Sequence, residues 1–171
     1  MRQTLAFSAV LFLFSLIAWA QKAASDKSPT DQPSIPSGWV LIHEKHGCAV
    51  ASPREWSRHS KHHLPIEGRL FQSKDGFAIG MVLVQALKRP WPEYDELSKR
   101  NMENSTIVSE APDRTIFEIG STAHTALTYS ANQFLKQANM VCHVSVAIQR
   151  PEQVGQYSRV ARAIVETVHS E

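Results

Sequence analysis

Apolar residues near the start of the chain form two short runs, which is typical of a β-hairpin. The runs are residues 39–42 and 48–51, and a polar stretch ending at Gly47 separates them. Pro53 follows the second run and ends that strand, because proline has no backbone N–H to donate. The polar, histidine-rich residues 57–68 that come next are typical of a surface loop.

A second hairpin is predicted around Asp75 and Gly76, which tolerate the positive φ of a tight turn. Large and small apolar residues alternate in the strand that follows. Phe77, Ile79, Met81 and Leu83 lie on one face, and Ala78, Gly80, Val82 and Val84 lie on the other. Because both faces are apolar, we expect this strand to be central and covered on both sides. The small residues indicate that one covering layer approaches closely.

Two segments predict helices. The first begins near Pro92, has acidic residues in its first turn and places Lys99 and Arg100 near its end, where the helix dipole favours cations. The second runs from about residue 154 to residue 169, with apolar residues at helical spacing. Between them the pattern predicts strands at 115–119, 124–130 and 140–149, and a short one at 107–108.

This order of elements predicts an α/β protein of the α+β type. Strands joined by short turns pair antiparallel, and two amphipathic helices must bury their apolar faces against the sheet. We therefore expect an antiparallel β-sheet covered by helices in an α/β/α sandwich.

The chain begins with a predicted signal peptide. Residues 1–20 combine Arg2, an uncharged apolar core and a small-x-small cleavage site, Ala18-Trp19-Ala20. Residues 21–37 are rich in proline and serine and predict a flexible linker, so the folded domain is expected over 38–171. We expect a periplasmic or secreted protein with no stable membrane insertion after cleavage, because the apolar core is shorter than a spanning helix requires.

The net charge of the chain and the distribution of its basic residues bear on the class of partner that it binds. The chain has 18 Lys and Arg against 16 Asp and Glu, a net charge of +2, and its basic residues are scattered without a stripe. This balance predicts no nucleic-acid partner.

Cys48 and Cys142 are the only cysteines. Both lie in predicted strands, and the alternation of apolar residues around Cys142 places it inward. An even number of cysteines in an exported protein favours one disulfide. Two buried free thiols are the alternative.

The histidine-rich segment offers a candidate metal site at His59, His62 and His63. Imidazoles suit zinc or copper, but a zinc site needs three or four ligands, so Glu55 or Glu67 would have to complete the set. The alternative is a solvated polar loop with no metal or other cofactor, since neighbouring basic residues oppose a cation.

Catalytic motifs are missing from the sequence. Cys48 could act as a nucleophile with His46 or His143 as its base, but an oxidising compartment and the lack of a small-residue loop after Cys48 oppose this. The sequence contains no glycine-rich phosphate loop and no GxSxG turn. A thiol or hydrolytic enzyme is therefore the less favoured interpretation.

Trp91 stands between Pro90 and Pro92. An aromatic residue held in a rigid proline turn could be an exposed interface residue, since tryptophan often anchors interfaces. The alternative, which we favour, is a cap packed on the edge of the sheet.

Three stretches together resemble a known family. GWVLIHEKHGCAVASPREW is similar to the opening hairpin of Mog/PsbP-like domains, and FAIGMVLVQAL followed by PWPEYDELSKRN resembles their central strand and first helix. The last strands and the terminal QYSRVARAIVETVHSE also fit, so the resemblance covers residues 38–171. It is nearest to exported bacterial proteins of the DcrB type and to other uncharacterised PsbP-related proteins.

The resemblance implies a Mog/PsbP-like fold and a binding or assembly role, because characterised members act chiefly in that way. Fold alone names no ligand. We therefore expect an exported, non-enzymatic module that binds an envelope protein or a small ligand. A metal-binding exported protein that uses the histidine-rich segment is the alternative.

Overall fold

The computed structural model describes residues 33–60, 68–100, 105–120 and 128–171. The predicted signal peptide and most of the predicted linker lie outside these ranges. Residues 33–38 precede the first strand and form no helix or strand.

A small sheet of three strands begins the domain. Strands β1 (Trp39–Glu44) and β2 (Cys48–Pro53) pair antiparallel, as the apolar runs predicted, and a 3₁₀ turn (Lys45–Gly47) joins them. Gly47 adopts a positive φ of 75° in this turn, a conformation that glycine tolerates without strain. The third strand, β10 (His169–Ser170), pairs with the other edge of β2.

The large sheet has seven antiparallel strands in the order β3-β4-β5-β9-β8-β7-β6. Its strands are β3 (Ser57–Ser60), β4 (Gly68–Gln72), β5 (Ala78–Ala86), β6 (Ser105–Ala111), β7 (Arg114–Gly120), β8 (Tyr129–Gln137) and β9 (Met140–Ile148). The prediction of a surface loop from residue 57 was wrong for residues 57–60, because β3 pairs there with β4. Strand β6 extends well beyond the predicted residues 107–108.

The central position predicted for β5 is confirmed, since β4 and β9 flank it. The small side chains of its inner face are buried, and a Cβ added at Gly80 would lie only 2.0 Å from the Phe71 ring. Glycine therefore allows the Phe71 ring to lie directly over β5.

Two helices cover opposite faces of the large sheet. Helix α1 (Trp91–Arg100) packs near Phe134 and Val141 on one face. Helix α2 (Val154–Glu166) packs on the other face, over β8 and β9, in a core that it shares with the small sheet. The predicted antiparallel α/β/α sandwich is confirmed, with the small sheet added to the α2 layer.

Two predicted elements have different ends in the structure. Residues 124–127 of the strand predicted at 124–130 lie outside the described ranges, and residues 129–130 belong to β8, which continues to Gln137. Within β8, Asn132 Nδ2 donates to Ser130 Oγ at 3.0 Å. The second helix ends at Glu166, before the predicted residue 169. Thr167 accepts the Ala51 N–H at 2.8 Å, and the chain then enters β10.

Within the described ranges, no helix is both long and apolar enough to cross a membrane.

Candidate functional site

A shallow groove opens between the small sheet and the β3 side of the large sheet. Its volume is about 570 Å³, and it is lined by Val40, Arg54, Trp56 and Arg58. The groove is open, so most of this volume faces solvent. We call these four residues the arginine groove.

The turn between β2 and β3 positions the arginine groove. Pro53 ends β2, and its carbonyl accepts the Trp56 N–H at 3.1 Å, which closes the turn. The Arg54 N–H donates to the Gly38 carbonyl at 3.2 Å, so the backbone of this turn is tied to the residue before β1. The groove is thus built on hydrogen-bonded backbone.

Trp56 anchors the groove to the core, because its side chain is only 5% exposed. Its ring centroid lies 6.0 Å from that of Phe71 and 6.1 Å from that of Tyr157, the second contact being edge-to-face. Such aromatic contacts add to the stabilisation that burial provides.

Tyr157 continues this support from α2 to the β4–β5 turn. Its hydroxyl donates to Asp75 Oδ2 at 2.7 Å, and Ser73 Oγ donates to Asp75 Oδ1 at 2.7 Å. The hydrogen bond from Ser73, followed by that from Tyr157, lowers the pKa of Asp75, because both donors favour the ionised carboxylate. The floor of the groove therefore rests on three separate elements.

The arginine groove carries two positively charged side chains, and the exposed Glu55 lies between them in sequence. Arg54 and Arg58 are both exposed, and among the described residues neither forms an ion pair. Some other arginines are paired: Arg69 contacts Glu44 at 2.8 Å, and Arg162 contacts Glu118 at 3.2 Å. A guanidinium group presents planar donors that match a carboxylate or a phosphate. The groove is therefore suited to an anionic group.

The predicted metal site cannot be assembled from the described residues. The backbone of His59 belongs to β3 and pairs with Leu70, whereas His62 and His63 lie outside the described ranges. Where the chain is described, no group of three His, Cys, Asp or Glu residues is placed to hold a metal ion. The zinc or copper hypothesis remains a prediction.

The two cysteines lie where the sequence placed them, facing inward. A disulfide joins Cys48 at the start of β2 to Cys142 in β9, with their Cα atoms 6.1 Å apart, and both residues are completely buried. It links the small sheet directly to the large one.

The two candidate bases of the thiol hypothesis differ in environment. Burial lowers the pKa of His143 to about 4, since the interior disfavours the charged ring. Its ring packs 4.4 Å from that of Phe134, and its Nε2 atom is buried. His46 is exposed in the β1–β2 turn.

The structure places Trp91 in a packed cap, which corrects the interface interpretation. Its side chain is 7% exposed, and it stacks on Tyr94 with 5.8 Å between the ring centroids. Tyr94 in turn contacts Phe134 edge-to-face at 5.7 Å. The proline turn starts α1 so that Trp91 points into the sheet, as the cap alternative predicted.

The arginine groove was not identified from the sequence. In the sequence, Arg58 is one of the basic residues that lie beside the histidines and oppose a cation, and Arg54 directly follows Pro53. The only sequence signal is the spacing of Arg54 and Arg58 on either side of Trp56. Residues 54–56 form a turn, so the alternation of a strand does not place them on one face.

Comparison with known proteins shows the fold. No protein-family model and no curated protein matches the chain. The solved structure of cyanobacterial PsbP (CyanoP) from Synechocystis is similar, with a TM-score of 0.59 at 6% identity, over 81% of this chain and 98% of that one. The predicted Mog/PsbP-like fold is thereby confirmed.

Two other solved structures are also similar. A protein from Bacteroides thetaiotaomicron has a TM-score of 0.50 at 12% identity, over 72% of this chain and 45% of that one. The Ran-binding protein Mog1p from Saccharomyces cerevisiae has a TM-score of 0.48 at 11% identity, over 80% of this chain and 96% of that one.

Proposed function

We propose that this protein is an exported, non-enzymatic binding module that captures an anionic group of an envelope protein or a small ligand in the arginine groove. The observation that carries the proposal is the pair of exposed arginines beside the anchored Trp56, neither of which has a described acidic partner. An incoming carboxylate or phosphate would provide the partner that both guanidinium groups lack.

The packing around the groove supports a binding role. Trp56 is fixed by Phe71 and Tyr157, so the apolar floor is formed before a ligand arrives. Preorganisation of this kind reduces the ordering cost of binding. The arginine side chains are exposed and can adjust to the ligand, while the backbone that carries them is held in a hydrogen-bonded turn.

The cysteines also favour binding over thiol chemistry. A thiol enzyme needs a free thiolate, and the Cys48–Cys142 disulfide leaves neither sulfur available. The complete burial of both residues would keep a substrate away from them as well.

We also propose that the protein is exported and that it is related to bacterial proteins of the DcrB type. Export is supported by the signal-like residues 1–20 and by a disulfide, which persists in oxidising compartments. Expression of the full chain in a bacterium, followed by fractionation and N-terminal sequencing, tests it. We expect material outside the cytoplasm that begins at Gln21, and full-length cytoplasmic protein would contradict export.

The binding role is tested by capture from an envelope extract of the source organism. The charge-reversed variant Arg54→Glu/Arg58→Glu is compared with wild type and with the matched control Arg89→Glu/Arg159→Glu, which makes the same change in net charge at exposed positions outside the groove. We expect one specific partner with wild type and with the control, and its loss with the groove variant. Equal recovery by all three proteins, or no specific partner with any of them, would contradict the proposed function.

A further inference from the structure

Strand β1 forms one wall of the arginine groove and also an edge of the small sheet. In the described part of the chain it pairs with β2 alone. An edge strand presents backbone N–H and C=O groups that another extended segment can use. Which N–H and C=O groups of β1 face the free edge follows from the hydrogen bonds that β2 makes on the side away from β1.

Ala51 shows which residues of β1 face outward. Its N–H donates to Thr167 Oγ1 at 2.8 Å, so the backbone groups of Ala51 point away from β1. Leu41 is the register partner of Ala51. In an antiparallel pair, opposite residues either exchange two hydrogen bonds or both point away. The N–H and C=O of Leu41, and those of His43 two residues later, therefore face the free edge.

The side chains of β1 place the groove beneath that edge. Val40 lines the groove, and Ile42, on the same side of the strand, is buried in the core. Leu41 and His43 lie on the opposite side, because side chains alternate along a strand. A segment paired with β1 would place every second side chain on the Val40 side, over Arg54 and Arg58.

We propose that the ligand is an extended acidic segment of a partner protein, which adds a strand to the free edge of β1 and places its carboxylates on Arg54 and Arg58. This inference rests on the proposed function and specifies its ligand. Main-chain hydrogen bonds to Leu41 and His43 supply register, and the arginines select alternate acidic residues.

Charge favours a different partner over a second copy of this chain. The sequence of β1 is WVLIHE, whose single acidic residue is Glu44. Glu44 already contacts Arg69 at 2.8 Å. A second β1 strand would therefore bring no uncommitted carboxylate to Arg54 and Arg58, whereas an acidic segment brings one at every second residue.

The test uses labelled peptides and the protein purified after expression of the full chain. The probe is an acetylated peptide of four Thr-Glu repeats, and its neutral control has four Thr-Gln repeats; fluorescence anisotropy measures binding. Peptide residues that pair with Leu41 and His43 lie on the same face of the sheet as those two residues, which is the face away from the arginines. When the glutamates face the arginines, the residues that pair with Leu41 and His43 are therefore the threonines. N-methylation of the threonines should weaken binding at least tenfold, whereas N-methylation of the glutamates should change it little.

Protein variants separate the two parts of the inference. Leu41→Pro removes a donor that faces the free edge and should weaken peptide binding at least tenfold, while Leu41→Ala keeps the backbone donor and should bind nearly as wild type does. Circular dichroism checks that both variants fold. Arg54→Ala/Arg58→Ala should reduce binding of the Thr-Glu peptide to the level of the Thr-Gln control.

The outcomes distinguish this inference from the proposed function. If binding needs the arginines but tolerates either N-methylation pattern, the arginine groove binds anions without adding a strand, and only the inference fails. If the Thr-Glu peptide binds no better than the Thr-Gln peptide and the arginines have no effect on envelope capture, both fail. A wild-type dimer in light scattering that Leu41→Pro dissociates would assign the edge to a second copy and overturn the inference.

Discussion

Removal of the disulfide should cost the domain a large part of its stability. The perturbation is the double variant Cys48→Ala/Cys142→Ala. Alanine leaves no polar group in the completely buried positions that the two sulfurs occupy. It removes the covalent link between the small sheet and the centre of the large sheet, while the surrounding apolar packing of Val50 and Val144 remains.

The magnitude follows from the length of the closed loop. The two cysteines are 94 residues apart in sequence. In the chain-entropy model, opening a loop of this length destabilises the folded state by about 4–5 kcal/mol, because the unfolded chain regains its freedom. A domain of this size is usually stable by about 5–15 kcal/mol, so the variant should stay folded with a much reduced margin or unfold outright.

Urea denaturation followed by circular dichroism measures the loss. The control is wild-type protein unfolded and refolded under reductant, which opens the loop without changing a side chain and should lose nearly as much stability. If the variant is unfolded in buffer, added sulfate, which strengthens apolar burial, brings its transition into range. A loss below about 1 kcal/mol in both the variant and the reduced protein would refute the loop-entropy reasoning for this pair.

Three further predictions concern single positions or the histidine-rich segment. Desolvation lowers the pKa of the partly buried His143 ring to about 4, against an ordinary 6.5. The unfolded chain therefore binds the proton first, and the free energy of unfolding falls as the pH drops from 6.5 towards 4. In urea denaturation, His143→Gln should lose roughly 2–3 kcal/mol less stability than wild type between pH 7 and pH 4.5, and equal losses would contradict this. Gly80→Val should destabilise the folded domain by about 1–3 kcal/mol, because the valine side chain would overlap the Phe71 ring. An unchanged thermal midpoint would contradict this and show that the ring can move aside. Calorimetric titration with zinc and copper should show equal, weak binding by wild type and His62→Ala/His63→Ala, whereas tight binding that the variant loses would favour the metal-binding alternative.

Much of the fold could be predicted because local pattern and tertiary packing agree. The two hairpins have their turn residues at Gly47 and Gly76, and Gly76 takes the positive φ that its turn predicted. The alternation along β5 predicted its central place. The spacing of apolar residues in α2 identified the face that buries Ala161 and Ile164.

The predictions that were wrong concern segments in which tertiary contacts override the local pattern. The second half of β8 contains Asn132 and Gln133, polar residues that interrupt the apolar alternation, yet both are buried in the sheet. The last residues continue the helical pattern, but Thr167 bonds to β2 and the chain ends as β10. A sequence pattern carries no information about such distant partners.

The groove could not be predicted for a similar reason. Trp56 packs against the sheet through Phe71. Its neighbours Arg54 and Arg58 become notable because they line the same groove as Trp56 and have no described acidic partner there. Pairing of surface charges depends on tertiary geometry, so the sequence offered their spacing and nothing more.

Site-specific photo-crosslinking in cells tests most directly whether the arginine groove binds a partner. Glu55, exposed between the two arginines, is replaced by the photo-reactive p-benzoylphenylalanine, and Glu96, exposed on α1, is replaced in a control. We predict a discrete crosslinked partner at position 55, its loss when Arg54→Glu/Arg58→Glu is added, and none at position 96. A crosslinking pattern at position 55 that matches position 96, or that persists in the charge-reversed protein, would contradict a binding role for the groove.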